Sequence, residues 1–265
     1  MLTDTHCHLD FDWFEKDRDQ VIDRARNVGV VRLLNPGIHE VSSQHAINLS
    51  EKYPEVYAAV GVHPNDAVTW DDATLGNLRM MASHPKVVAI GEIGLDYYRD
   101  RAPVDIQKRI FIEQLGLAAE LDLPVVIHCR DAMKDMIRLL RDWQTALKLS
   151  QSSIAKSPGV LHSFSGSEED AKEIRELNFL IGITGPVTFR NANELQELVI
   201  RLPLESMLIE TDAPFLTPHP YRGKRNEPAR VKLVAEKIAE LHHEVYNNIT
   251  QATALNADQL FGWHS

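Results

Sequence analysis

Val87-Val88-Ala89-Ile90-Gly91-Glu92 is an apolar run that ends on a carboxylate. Downstream, Ile106, Ile110, Leu117 and Leu121 recur at helical spacing, and Val125-Val126-Ile127 is a second run that ends on His128. A buried strand, an amphipathic helix and another buried strand predict a parallel pair joined by a crossover helix. The same rhythm extends in both directions. Met1 to Thr5, Val30 to Leu34 and Val56 to Val62 read as strands before it; Val160 to Leu161, Phe179 to Ile183 and Met207 to Ile209 read as strands after it. Met136, Leu140 and Trp143 mark another helix between two of them.

Eight such units in 265 residues predict an α/β chain folded as one (β/α)8 TIM barrel over residues 1–265. No Gly/Ser-rich or Pro-rich linker divides it. Ser150 to Ser157 reads as a surface loop before the sixth strand, and Tyr246 to Phe261 as an extra C-terminal helix.

Composition is that of a globular protein, 44% apolar and 25% charged. The net charge of −10 excludes whole-surface attraction to a nucleic acid backbone, so any such contact has to be local. No signal-peptide pattern and no apolar run of about 20 residues is found, which leads us to expect a cytoplasmic chain that does not enter a membrane. No feature calls for an obligate protein partner. Cys7 and Cys129 give no disulfide framework and read as buried small residues.

His6 and His8, two apart at the end of the first strand, project to one face because strand side chains alternate. Alone, a His-x-His pair is as readily a pair of hydrogen-bonded core histidines as half a metal site. The reading changes because Glu92, His128, His162, Glu210 and Asp212 follow later strands in the same way. Unpartnered, these groups would carry a large desolvation cost at the barrel rim, and metal ions satisfy them together. Six ligands, His6, His8, Glu92, His128, His162 and Asp212, exceed what one ion takes, so two divalent ions (Zn²⁺, Mn²⁺ or Mg²⁺) are expected. Glu92 is the candidate bridge, since a carboxylate can span two ions. Asp212 can both touch a metal and take a proton from the attacking water, which makes Asp212 and Glu92 the candidate catalytic pair. Glu210 lies one layer deeper and reads as a support.

Seven motifs in order carry a resemblance that runs nearly end to end. They are Asp4-Thr5-His6-Cys7-His8-Leu9-Asp10, Gly61-Val62-His63-Pro64, Ile90-Gly91-Glu92-Ile93-Gly94-Leu95-Asp96-Tyr97-Tyr98 and Pro124-Val125-Val126-Ile127-His128-Cys129-Arg130-Asp131-Ala132. His162-Ser163-Phe164-Ser165-Gly166, Glu210-Thr211-Asp212-Ala213-Pro214 and Arg222-Gly223-Lys224-Arg225-Asn226-Glu227-Pro228 follow. With them the chain resembles the TatD-type metal-dependent hydrolases, a branch of the amidohydrolase barrels that includes deoxyribonucleases. The resemblance implies His6, His8, Glu92 and Asp212 around one ion, and Glu92, His128 and His162 around the other. It also implies phosphodiester hydrolysis, in some members from DNA ends. Ser163 stands where cysteine is as readily expected.

A DNA or nucleotide phosphodiester is therefore the expected substrate. Arg130, Arg222, Lys224 and Arg225 are candidates for its phosphates, His63 for a contact from the third strand, and Tyr97 for a base. Tyr98, Phe164, Phe215 and Tyr221 also follow strand ends, though each can equally pack beneath a loop, and the basic loop can equally pair with acidic neighbours. His39, His45, His84, His219, His242, His243 and His264 read as solvated or incidental, with His219 nearest the eighth loop. Two other functions compete. One is hydrolysis of an amide, lactone or phosphotriester, which related barrels often perform with a carboxylated lysine where this chain has Glu92. The other is a non-catalytic metal or nucleic-acid binding module, which would not need Asp212.

Overall fold

Eight parallel strands lie side by side in chain order: β1 (Leu2–Asp4), β2 (Val30–Pro36), β3 (Val56–Val60), β4 (Val87–Asp96), β5 (Val125–Arg130), β6 (Gly159–Leu161), β7 (Leu180–Ile183) and β8 (Met207–Ile209). They come from a computed structural model that describes residues 1–263, so His264 lies outside the described residues. Between and after them run α1 (Arg18–Asn27), α2 (Glu40–Lys52), α3 (Thr74–Ala82), α4 (Val104–Leu121), α5 (Met133–Leu149), α6 (Glu168–Glu176), α7 (Asn193–Arg201), α8 (Val231–His242) and α9 (Tyr246–Phe261). The seam between β1 and β8 closes through backbone bonds: Thr5 N–H donates to Ile209 O (3.2 Å), Asp212 N–H to His6 O (2.8 Å) and His8 N–H to Ala213 O (2.8 Å). The result is a nearly closed TIM-type barrel with the extra C-terminal helix expected from the sequence. No helix among the described residues is long and apolar enough to cross a membrane.

The barrel interior explains how the strands aim their polar ends. Leu34, Tyr57, Val88, Val126, Val160 and Leu208, from six strands, form one buried cluster with Leu260 and Phe261 of α9 and with Trp263. The C-terminal helix thus plugs one end of the barrel. Two residues beyond Val126, Val160 and Leu208 stand His128, His162 and Glu210, which the period of two keeps on the same interior face at the other end. A second and larger apolar cluster joins the outer strand faces to the helices, as in Ile90, Ile127, Ile181 and Ile209 with Phe111, Leu140, Val199 and Val234.

Three details differ from the expectations. β4 continues through Glu92 to Asp96 and β5 through His128 to Arg130, so these two site residues lie within strands and not past their ends. β4 changes register between Ile90 and Ile93, where the Gly91–Glu92 peptide is cis. The stretch expected as a plain loop before β6 contains a short 3-10 turn, Ser153–Lys156, which buries Ile154 and Ala155; apolar residues in a polar segment supply that anchor.

Candidate metal centre

Glu92 is buried in the middle of five imidazoles, and its two oxygens divide them. Oε2 faces His6 Nε2 at 3.4 Å and His8 Nε2 at 3.5 Å, while Oε1 faces His128 Nδ1 at 3.1 Å, His162 Nε2 at 3.4 Å and His63 Nε2 at 3.7 Å. Asp212 closes the first group, its Oδ1 3.8 Å from His6 Nε2 and 3.6 Å from His8 Nε2. Among the described residues three sets of ligand atoms are close enough to share an ion: His6, His8 and Asp212; His6, Glu92 and His162; His63, Glu92 and His128.

The donors fit cations better than one another. His6 Nε2 and His8 Nε2 approach to 3.2 Å, two ring nitrogens that cannot both donate. The opposite nitrogens of His6, His8 and His162 are buried without a hydrogen-bond partner among the described residues. So many imidazole lone pairs around two carboxylates suit a pair of borderline divalent ions, and the buried His, Glu and Asp clusters are consistent with a binuclear site.

Electrostatics without metal follow the same geometry. Burial pushes the Glu92 carboxyl up, but His6, His63, His162 and the bond from His128 outweigh it and hold the group well below the usual carboxylate range. Burial alone would keep His8 and His128 neutral. The nearby Asp212 carboxylate with the charge of Glu92 for His8, and the bonds to Asp96 and Glu92 for His128, instead raise each to about 9. His63 has burial and the neighbouring His128 against it and falls to about 3.

Supports lie one layer out. His128 Nε2 faces Asp96 Oδ2 at 3.2 Å, and Asp96 also accepts from Asn65 Nδ2 and from the backbone N–H groups of Tyr98 and Arg99. Glu210 is fully buried; its Oε1 accepts the Ser163 N–H at 2.7 Å and its Oε2 stands 3.8 Å from His162 Nδ1. Asp4 accepts from the Thr211 hydroxyl (2.6 Å), the Thr211 N–H (2.9 Å) and the His6 N–H (3.4 Å), and burial raises it to about 8 despite those bonds. Asp212 and Ser163 hold left-handed backbone, φ 53° and 45°, a cost concentrated where the carboxylate and the Glu210 contact are set.

The structure gathers His6, His8, Glu92, His128, His162 and Asp212, and adds His63 to the group. It deals differently with the other site residues expected from sequence. Arg130 stacks on exposed Tyr98 with its Cζ 3.7 Å from the ring centre, and it lines a cavity of about 770 Å³ that His128, His162 and Asp212 open into. Arg222 and Lys224 are exposed on the loop after β8, against Phe189 and Tyr221. Arg225 is instead committed to Asp17 through both Nη atoms (2.8 and 2.7 Å), and the Tyr97 hydroxyl to Asp135 (2.9 Å). Burial lifts the Cys129 thiol to about 12, so it is no nucleophile at neutral pH. His39 caps α2 by accepting the Ser42 N–H, His242 bonds Val199 O, and His219 is exposed.

Asp4 and Asp96 were not singled out from the sequence, yet the signal was present. Asp4 stands two and four residues before His6 and His8, and Asp96 four residues after Glu92 in the same strand, so each acid accompanies a ligand in the sequence.

Known proteins resemble the chain over nearly its whole length. The family model described as TatD related DNase matches residues 3–262. The chain is 43% identical over 261 residues to an uncharacterized metal-dependent hydrolase, YabD, of Bacillus subtilis, covering 98% of this chain and 99% of that one. It is 40% identical to the 3'-5' ssDNA/RNA exonuclease TatD of Escherichia fergusonii, covering 98% and 99%. The crystal structure of YJJV, a TatD homolog from Escherichia coli K12, superposes with a TM-score of 0.91 at 33% identity, over 99% of this chain and 98% of that one. With a family match over nearly every residue, and with the barrel and its buried His, Glu and Asp clusters in place, the chain belongs to the TatD-related DNase family of metal-dependent hydrolases.

Proposed function

We infer that the chain hydrolyses phosphodiester bonds, taking nucleotides from the 3' end of single-stranded nucleic acid. The observation that carries this reading is the division of Glu92: one oxygen toward His6 and His8, the other toward His128 and His162. His6, His8 and Asp212 would hold one divalent ion, His128 and His162 a second, with Glu92 shared. Two such ions, when bound, neutralise charge on a phosphoryl group and acidify the attacking water.

The chain's own residues supply the rest. Asp212 begins ionised, because burial is outweighed by the neighbouring imidazoles of His8, His162 and His6. Its side chain is 14% exposed against 4% for Glu92, so it is the site carboxylate that can take a proton and pass it to solvent. Glu210 fixes the Ser163 backbone beside His162, and Asp96 orients His128. Arg130, Arg222 and Lys224, at the mouth and on the loop beyond it, suit flanking phosphates. Relatives at about 40% identity bear the name 3'-5' ssDNA/RNA exonuclease, which supports the same substrate class.

The test strips the protein of metal, restores Mg²⁺, Mn²⁺ or Zn²⁺, and follows a 5'-labelled single strand together with an Asp212→Asn variant. Progressive shortening from the 3' end that needs metal and is lost in the variant is expected. Full metal uptake without release from any strand would overturn the nuclease reading and direct the search to small phosphoesters.

A further inference from the structure

Beside the metal centre lies a line of aromatic rings that the chemistry of hydrolysis does not use. The His8 ring stacks on Phe11 with centres 4.6 Å apart and planes at 15°. Phe11 meets Phe215 edge-on at 6.1 Å, and Phe215 meets Trp13 at 6.2 Å. Phe11 and Trp13 belong to the loop after β1, while Phe215 follows Asp212 in a turn closed by Phe215 N–H to Asp212 O at 2.7 Å. The line therefore starts on a residue of the metal centre and runs outward, and its far members stay in water: Trp13 is 58% exposed and Phe215 45%. Large rings left exposed in a row at the mouth of a polar site mark a surface that something flat and apolar covers.

Charge selects the occupant. The loop that carries Phe215 also presents exposed Arg222 and Lys224, while in the cavity that His128, His162 and Asp212 open into the cations Arg130 and Arg201 stand among Glu168, Glu194 and Glu197. Two exposed cations on the loop that carries Phe215 favour a polyanionic strand over these rings. We propose that Phe11, Phe215 and Trp13 form a stacking platform for unpaired nucleobases next to the scissile phosphate, and that this platform gives the enzyme its preference for single strands. Paired bases keep their faces within the duplex and cannot use it. The proposal rests on the nuclease reading above.

The platform is held by a clasp. Arg225 donates to Trp13 O at 2.6 Å and to both oxygens of Asp17, and its guanidinium lies over Phe14 with Cζ 4.7 Å from the ring centre. This ties the loop after β8 to the loop after β1, the two loops that supply the rings.

The experiment compares wild type, Trp13→Ala and Phe215→Ala on a fluorescein-labelled dT strand and on a strand of equal length with abasic sugars. Anisotropy and tryptophan quenching are read on full-length protein in EDTA, and 3' release with Mn²⁺ restored. Circular dichroism and thermal melting establish that the variants fold. Wild type is expected to bind the dT strand about tenfold more tightly than the abasic one, and each variant to lose most of that preference while binding the abasic strand as before. Equal binding of both strands by wild type, or an undiminished preference in the variants, overturns the platform. So does loss of self-association in Trp13→Ala by sedimentation with the base preference intact, which would assign the rings to a contact between copies. Wild type that binds dT but releases no nucleotide with metal present leaves the platform standing and sinks the nuclease reading; binding neither strand sinks both.

Discussion

Asp96 Oδ2 lies 3.2 Å from Nε2 of His128, whose other ring nitrogen faces Glu92 Oε1 at 3.1 Å. The imidazole is fixed from both sides, and Asp96 is itself fixed by Asn65 and two backbone N–H groups. Such a partner sets the tautomer and direction of the ligand it touches. Asp96→Asn is expected to weaken metal binding at the His128 side by about 10–100-fold while the fold is kept. Competition with a fluorescent chelator measures this. Unchanged affinity would mean that Glu92 alone orients the ring.

How far the sequence reaches is visible in these residues. The alternation of apolar runs and helical spacings defines the barrel because a strand buried on both faces leaves no polar alternation to confuse with a loop. Two of the ligands are legible because they come two residues after an interior apolar residue, as Val126 precedes His128 and Val160 precedes His162; the others are legible because they stand at or just past the ends of apolar runs. Asp96 looks like a loop acid until β4 is seen to run on to it, and Asp4, within the first strand, has no apolar or ligand pattern of its own that shows what it supports. Phe11, Trp13 and the Arg225–Asp17 clasp have no such signal. They depend on two loops more than 200 positions apart meeting across the β1/β8 seam, which only closure of the barrel creates.

Protons and metal compete for the centre. His8 and His128 sit at about 9 in the metal-free fold, against an ordinary value of 6.5, so near neutral pH both carry protons that metal ions must displace. Calorimetry in two buffers of different ionisation enthalpy should show release of about two protons at pH 7.5, falling away as pH rises past 9. The same shifts set the stability of the metal-free protein. A raised folded pKa stabilises fully below the unfolded value of 6.5 and ceases to do so as pH rises through 9. The melting temperature in EDTA should therefore fall between pH 6.5 and 9, and the gain on adding Mn²⁺ should grow over that range. A gain that shrinks instead would contradict the assignment of these protons.

Gly182 makes room for the carboxylate under His162. A Cβ at this position would fall 1.7 Å from Glu210 Oε1 and 3.1 Å from His162 Cα, and Glu210 is fully buried with the Ser163 N–H bound to it. Gly182→Ala must expel or rotate Glu210 and orphan that donor. The expected loss is about 3 kcal/mol or more from overpacking and the broken bond together. Urea unfolding with metal absent separates this from any loss of metal binding. A variant as stable as wild type would show that β7 can shift aside at no cost.

Arg225 offers a choice between two roles that salt can separate. As a phosphate contact it would contribute a counterion-release term, and Arg225→Ala would lower the salt dependence of strand binding by about one unit of slope. In that case Asp17→Ala, which frees a cation, would strengthen binding. The structure instead gives the Arg225 guanidinium to Asp17 and Trp13 O, with the two side chains 27% and 34% exposed. Acting as a brace, either substitution alone lets the Trp13 loop relax. Both Arg225→Ala and Asp17→Ala should then weaken binding of the dT strand to a similar extent, and the double variant should be little worse than either. The salt slope should be unchanged in all three, since the phosphates contacted are the same. A lower slope in Arg225→Ala with tighter binding in Asp17→Ala would return Arg225 to the substrate.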